Sequence, residues 1–183
     1  MIHNTFIHSF HSLIDPPNKD ELLHVLENAP LTKDQDFEWT LNCSVTTERL
    51  DLDLDVFFPS LDLFFKDLEA NANLNISLHE VWRNSYSKGY FQELHDHLPL
   101  HLSGVVFLTD WKEGDAKFYF HHRHQSEISK EWRDLCLGRN NYFVEGKRGQ
   151  VLLFPSWMMH GVSIHKSDNI RKTVAFNLLF NSK

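Results

Sequence analysis

The 183-residue sequence predicts a mainly β domain, a double-sheet jelly roll with helices packed at its N-terminal end. Three observations point there. From Ile76 onward the chain is a series of short aromatic and β-branched segments separated by turn residues: "NISLHEVWRN", "GYFQELH", "LSGVVFLTDW", "AKFYFHH", "GQVLLFPSW" and "RKTVAFNLLF". Strands and long helical patterns do not alternate in that stretch, so parallel βαβ units are not expected. Hydrophobic content of 42%, with 15 Phe and 5 Trp, is enough to fill one core at this length.

Taken in order, Asp15-Pro16-Pro17-Asn18 is a turn, and "KDELLHVLENAP" follows with Leu22, Leu23, Val25 and Leu26 at helical spacing until Pro30 stops it. A second helical pattern runs through "SLDLFFKDLEANA", with Ser60 as the expected N-cap after Pro59. Residues 1–75 are therefore read as helical support with the first strands, and 76–181 as the β core of a single domain. A polar stretch from Ser126 to Arg148 interrupts the strands, and "SEISKEWRDLCLG" within it is a candidate short helix.

Eighteen Lys and Arg against 25 Asp and Glu give a net charge of -7, which disfavours a nucleic-acid partner. No apolar run reaches membrane-spanning length. The opening "MIHNTFIHSFHSLIDPP" lacks the basic and apolar regions of a secretory signal, and Cys43 and Cys136 read as free thiols, so a cytoplasmic protein is expected. Most of the 13 histidines, including His3, His8, His11 and His24, have no metal-ligand spacing. The run "FHHRHQ" from Phe120 to Gln125 is ragged and reads as a solvated loop that can line an entrance. Trp82, Trp111 and Trp157 read as core or rim packing.

The chemistry concentrates in "FQELHDHLPLHLSGVVFLTD", Phe91 to Asp110. On a strand, His95 and His97 project from one face and Asp96 from the other. Imidazole suits several transition metals, yet a His-x-His pair alone is as well explained by an exposed strand edge. Two later features shift the balance. The strand "GQVLLFPSWMMH" stops at Pro155 and presents His160, and eleven residues on Arg171 opens "RKTVAFN" with Thr173 on its own face. A jelly roll brings early and late strands together at one end, where the three histidines can meet. By position alone Arg171 reads as a strand-edge arginine reaching solvent; if buried, it is costly unless its planar fork holds a carboxylate.

With these motifs the chain resembles the 2-oxoglutarate- and Fe(II)-dependent dioxygenases, in particular their small prolyl-hydroxylase-like branch of bacterial and phage type. That family carries Tyr-x-x-Gly, then His-x-Asp, a distal His and an Arg. Here "YSKGYFQELHDH" places Tyr86, Gly89, His95 and His97 in that order, and "FPSWMMH" and "RKTVAFN" supply His160, Arg171 and Thr173. The likeness runs from about Ile76 to Phe180.

The resemblance implies a double-stranded β-helix, cupin-like, in which His95, His97 and His160 hold Fe(II). It implies that 2-oxoglutarate lies against Arg171 and Thr173, with Gln92, Tyr86, Asn84 and Ser103 as further candidates for its pocket. O2 and 2-oxoglutarate would be consumed as succinate and CO2 form, with hydroxylation of a protein or peptide side chain, prolyl by preference, or of a small molecule. Two departures stand out. His97 replaces the family's carboxylate, leaving open whether it or the adjacent Asp96, on a bulged strand, is the second ligand. Gln92 stands where prolyl hydroxylases carry Tyr. Three-imidazole sites also serve cupin-like dioxygenases that use no 2-oxoglutarate, which is the alternative reading; a non-enzymatic jelly-roll binding module is the third. His101 shares strand parity with His95 but lies too far along to ligate.

Overall fold

The computed structural model describes residues 10–35, 43–68, 74–121, 130–131 and 141–182. Its strands are β1 (Ser12–Ile14), β2 (Cys43–Ser44), β3 (Thr46–Arg49), β4 (Leu74–Tyr86), β5 (Phe91–His95), β6 (Leu102–Phe107), β7 (Phe118–His121), β8 (Asn141–Val144), β9 (Val151–Pro155), β10 (His160–Val162) and β11 (Arg171–Ser182). Two helices, α1 (Lys19–Asn28) and α2 (Phe58–Asp67), precede the long strand β4. The strands form two antiparallel sheets, one ordered β1-β9-β6-β11-β4-β3 and the other β2-β5-β10-β7-β8. This is the jelly roll that the strand pattern predicts.

Side chains alternate along β11 and so divide the molecule into layers. Val174, Phe176 and Leu178 point to one core, where they meet Leu22, Leu23 and Leu26 of α1 and Leu61 and Phe64 of α2. Ala175 points the other way, into the core between the sheets with Trp82, Phe118 and Phe154. Arg171, Thr173 and Asn177 share that second face and line a cavity instead of filling it. On the helix side, β6 approaches so closely that a Cβ on Gly104 would stand 2.1 Å from the Phe176 ring. Without one, Phe176 lies across the sheet and stacks on Phe57 at 4.1 Å.

Several sequence expectations need correction. Helix α2 starts at Phe58 with Pro59 in its first turn, and Ser60 is buried inside it rather than capping it. Proline's fixed φ suits the first turn, where its missing N–H has no helical partner to lose. Within residues 1–75, β1 edges the large sheet beside β9, β3 pairs with β4, and β2 pairs with β5. The polar stretch 126–148 contains β8, which pairs with β7 from Phe118↔Val144 to His121↔Asn141. Cys136, His3, His8, the residues of "FHHRHQ" after His121 and most of the candidate helix after Ser126 lie outside the described residues.

His101 does not share a strand with His95. Strand β5 ends at His95, a turn intervenes, and the His101 Nδ1 accepts the backbone N–H of Phe180 at 2.8 Å. Parity counted through a turn carries no meaning, because the pleat is broken there.

Candidate metal centre and cosubstrate pocket

The turn between β4 and β5 carries the chain from one sheet to the other. Tyr86 closes β4, Gly89 adopts φ +86°, and the Tyr90 N–H returns to the Ser87 carbonyl at 2.9 Å. That positive φ favours glycine, which explains the spacing from Tyr86 to the histidines. Strand β5 then delivers His95 directly opposite His160, the first residue of β10. His97 lies two residues beyond the strand end, where its backbone N–H donates to the Ser156 carbonyl at 2.9 Å.

The three rings converge. Ring centres stand 4.4 Å apart for His95 and His160, 5.0 Å for His97 and His160, and 5.1 Å for His95 and His97. One ligand atom from each lies within 4.8 Å of the others. The Asp96 carboxylate is not among them; it accepts the Leu98 backbone N–H at 3.2 Å. Hydrogen bonding orients two rings for coordination. The Nδ1 atoms of His95 and His160 each lie 2.8 Å from a carbonyl, of Glu93 and Met158 respectively. A carbonyl can only accept, so Nδ1 carries the proton and Nε2 keeps its lone pair. Burial favours neutral imidazoles at all three positions: it lowers the His97 pKa to about 3 with help from His95, and takes His160 well below the ordinary value. His95 is lowered too, by burial, against opposing pulls from the Glu93 carbonyl and Asp96. Neutral imidazole is the ligand form, so the pocket holds these side chains ready for a metal.

The second half of the cavity is cationic. Arg171 is 4% exposed, its guanidinium stands 5.0 Å from the Tyr86 ring centre, and its Nη1 has no hydrogen-bond partner. Burial lowers its pKa, opposed by Tyr86 and by the more distant Asp115 carboxylate. Tyr86 lies opposite Arg171 in the β4–β11 register, and Thr173 opposite Asn84. The Tyr86 hydroxyl donates to Gln92 Oε1, and burial pushes its pKa up to about 12, so it stays a neutral donor. Asn84 Oδ1 accepts from the Thr47 hydroxyl at 2.9 Å. Ser103 donates to Asn177 Oδ1 at 2.7 Å and stands 2.9 Å from the Ser156 hydroxyl. Tyr86, Asn84, Gln92, Ser103, Arg171 and Thr173 all line the same cavity as the three histidines.

Sequence reasoning missed Asn177, which is fully buried, and Glu80, to which its amide donates at 2.9 Å. The available signal for Asn177 was parity: it lies six residues after Arg171 on the same strand face. It also missed His165, fully buried, which accepts the Ala116 N–H at 3.0 Å and lies 2.7 Å from the Asn169 carbonyl. His165 ties loops together away from the three-histidine group.

A double-sheet jelly roll with three inward imidazoles and a buried, incompletely partnered arginine defines a class: a non-haem metal oxygenase with room for an anionic cosubstrate. Residues 80–177, more than half of the chain, match the family model described as "Putative 2OG-Fe(II) oxygenase". The protein belongs to the 2-oxoglutarate/Fe(II)-dependent oxygenases, enzymes that use iron, 2-oxoglutarate and O2.

Solved structures share the fold. A 2OG-Fe(II) oxygenase family oxidoreductase from Burkholderia pseudomallei is 15% identical, with a TM-score of 0.59 over 92% of this chain and 84% of that one. HygX from Streptomyces hygroscopicus, solved with nickel, 2-oxoglutarate and hygromycin B, is 16% identical, with a TM-score of 0.57 over 93% and 82%. The viral collagen prolyl hydroxylase of Paramecium Bursaria Chlorella virus-1, a 2-oxoglutarate complex, is 11% identical, with a TM-score of 0.55 over 92% and 95%. No curated protein matches the chain significantly. Among the described residues no helix is long and apolar enough to cross a membrane.

Proposed function

We propose that His95, His97 and His160 hold Fe(II), that Arg171 with Thr173 and Tyr86 binds 2-oxoglutarate, and that the enzyme hydroxylates a protein or peptide side chain, prolyl by preference. The observation that carries the cosubstrate assignment is the Arg171 Nη1, buried without a partner in the cavity that the three histidines line. A buried guanidinium is stabilised by an anion that accepts from its fork. A dicarboxylate with a chelating 2-oxo acid end fits: one end pairs with Arg171 and the other faces the imidazoles.

Iron and 2-oxoglutarate together supply the oxidising chemistry, with succinate and CO2 as the spent products. The chain's own part is placement and exclusion. The Nε2 lone pairs of His95 and His160 are aimed by the Glu93 and Met158 carbonyls. Phe118 and Phe154 pack against His160 and keep water from that side, their ring centres 5.2 and 4.9 Å from the imidazole. The Tyr86 hydroxyl, held by Gln92, is a neutral donor beside Arg171.

The prolyl preference is supported by the sequence motifs and by the shared fold of the viral collagen prolyl hydroxylase. A HygX-like action on a small molecule is the competing substrate class. A cytoplasmic setting belongs to the same reading and is supported by Cys43, a free thiol.

One observation favours a second reading: all three converging ligands are imidazoles, as in cosubstrate-free dioxygenases. Anaerobic titration of the metal-free protein with Fe(II) and 2-oxoglutarate separates the two. We expect the visible charge-transfer band of a 2-oxo acid chelated to ferrous iron, decaying on exposure to O2 as succinate forms. Iron binding without that band would move the protein to the second reading. A mass gain of one oxygen on proline-containing peptides then tests the substrate.

A further inference from the structure

A metal held by three neutral imidazoles keeps its full charge, where a carboxylate ligand would cancel one unit. Among the described residues no carboxylate joins His95, His97 and His160, and Asp96 is turned to the Leu98 N–H. One carboxylate nevertheless reaches the third imidazole through a single amide. Glu80 and Asn177 are direct partners in the β4–β11 register, at the position where a bulge then shifts it. The Asn177 Nδ2 donates to Glu80 Oε1 at 2.9 Å and stands 3.4 Å from the Nδ1 of His97. On the other side, Ser103 donates to Asn177 Oδ1 at 2.7 Å. A carboxylate only accepts, so the amide nitrogen must face Glu80. The network is satisfied from strand to strand, and it ends on the ligand position that departs from the family's carboxylate.

We propose that Glu80, coupled through Asn177, supplies from behind His97 the negative charge that the ligand set lacks, and so sets the metal affinity of the site. The proposal rests on the reading of the three histidines as ligands. Glu80 is half-buried; charge in a partly shielded position acts more strongly than at the surface, and groups behind a ligand commonly tune metal binding. A competing effect has the opposite sign: an amide N–H aimed at Nδ1 favours the His97 tautomer with its proton on Nε2, which opposes ligation there. That contact, at 3.4 Å, is longer than the roughly 2.7–3.2 Å of a strong hydrogen bond. The pull of a whole carboxylate on a dication outweighs it.

The test is the Co(II) dissociation constant of the metal-free protein, read by competition with a chelator. Glu80→Gln is expected to weaken Co(II) binding by roughly tenfold or more, while Glu80→Asp keeps most of the affinity. In a His97→Asp background, where the ligand carries its own charge, Glu80→Gln should lose most of its effect. The unfolding midpoint of each metal-free variant shows that the fold has held. Unchanged affinity in Glu80→Gln would overturn the proposal. Tighter binding would also overturn it and assign Glu80 to holding the amide against ligation. An equal loss in both backgrounds would reduce Glu80 to structural support. A wild-type protein that binds no Co(II) would instead sink the three-imidazole reading itself.

Discussion

His160 sits directly opposite His95 across the β5–β10 pair, with the two rings 4.4 Å apart. Sixty-five positions of sequence separate them, and a single cross-strand pair joins them. Replacement of either ring breaks the group. His160→Ala should abolish stoichiometric iron binding and turnover together, as measured by metal analysis after anaerobic reconstitution. Full iron occupancy in that variant would remove His160 from the ligand set.

Arg171 should matter to the cosubstrate and not to the metal. Arg171→Met is expected to weaken 2-oxoglutarate binding by about 1.5–3 kcal/mol, the scale of a hydrogen bond to a charged group, or roughly tenfold to a hundredfold. Iron affinity should stay the same. Burying a guanidinium with an unpartnered Nη1 is unfavourable in the empty protein, so the same variant should unfold about 1 kcal/mol later without ligand. Calorimetric titration with 2-oxoglutarate and denaturant melts of the empty protein read both effects. Equal cosubstrate affinity in variant and wild type would defeat the clamp assignment.

The three converging histidines make the metal-free protein acid-sensitive in a defined window. Their folded pKa values lie below the ordinary 6.5, to about 3 for His97. Below pH 6.5 the unfolded chain therefore takes up protons that the folded chain rejects, and stability falls as pH falls from about 6.5 toward 3. Above 6.5 these groups add no pH dependence. Urea midpoints between pH 7.5 and pH 4 should show the decline, and His97→Gln should make it shallower. Identical slopes for variant and wild type would show that His97 does not contribute.

Gly104→Ala is a test of the helix-side packing. The new methyl would meet the Phe176 ring at 2.1 Å, and Phe176 is fully buried on Phe57. Overpacking of this kind costs about 1–3 kcal/mol, seen as a lower urea midpoint.

Tyr86, Gly89, His95, His160 and Arg171 were legible in the chain because each obeys a local rule: a turn glycine after a strand, an imidazole at a strand end, a cation at a strand start. Strand and helix periods repeat every few residues, so the jelly roll and its two helices were legible for the same reason. β8 was not, because "NYFV" is short and sits in polar sequence, and only its pairing with β7 makes it a strand. His101 misled because parity was counted through a turn.

By itself, the sequence determined the fold class, the family and the residues whose chemistry is written in spacing. Tertiary structure alone decided which neighbour of His95 joins it, turning Asp96 to the Leu98 N–H and His97 to the other two rings. It also decided that the Asn177 amide links Glu80 to His97, since the Glu80–Asn177 pairing depends on the register of β11 against β4. The physical reason is one of range: backbone periodicity and turn chemistry are set by adjacent residues, whereas the partner of a side chain across a sheet is set by a register fixed hundreds of atoms away.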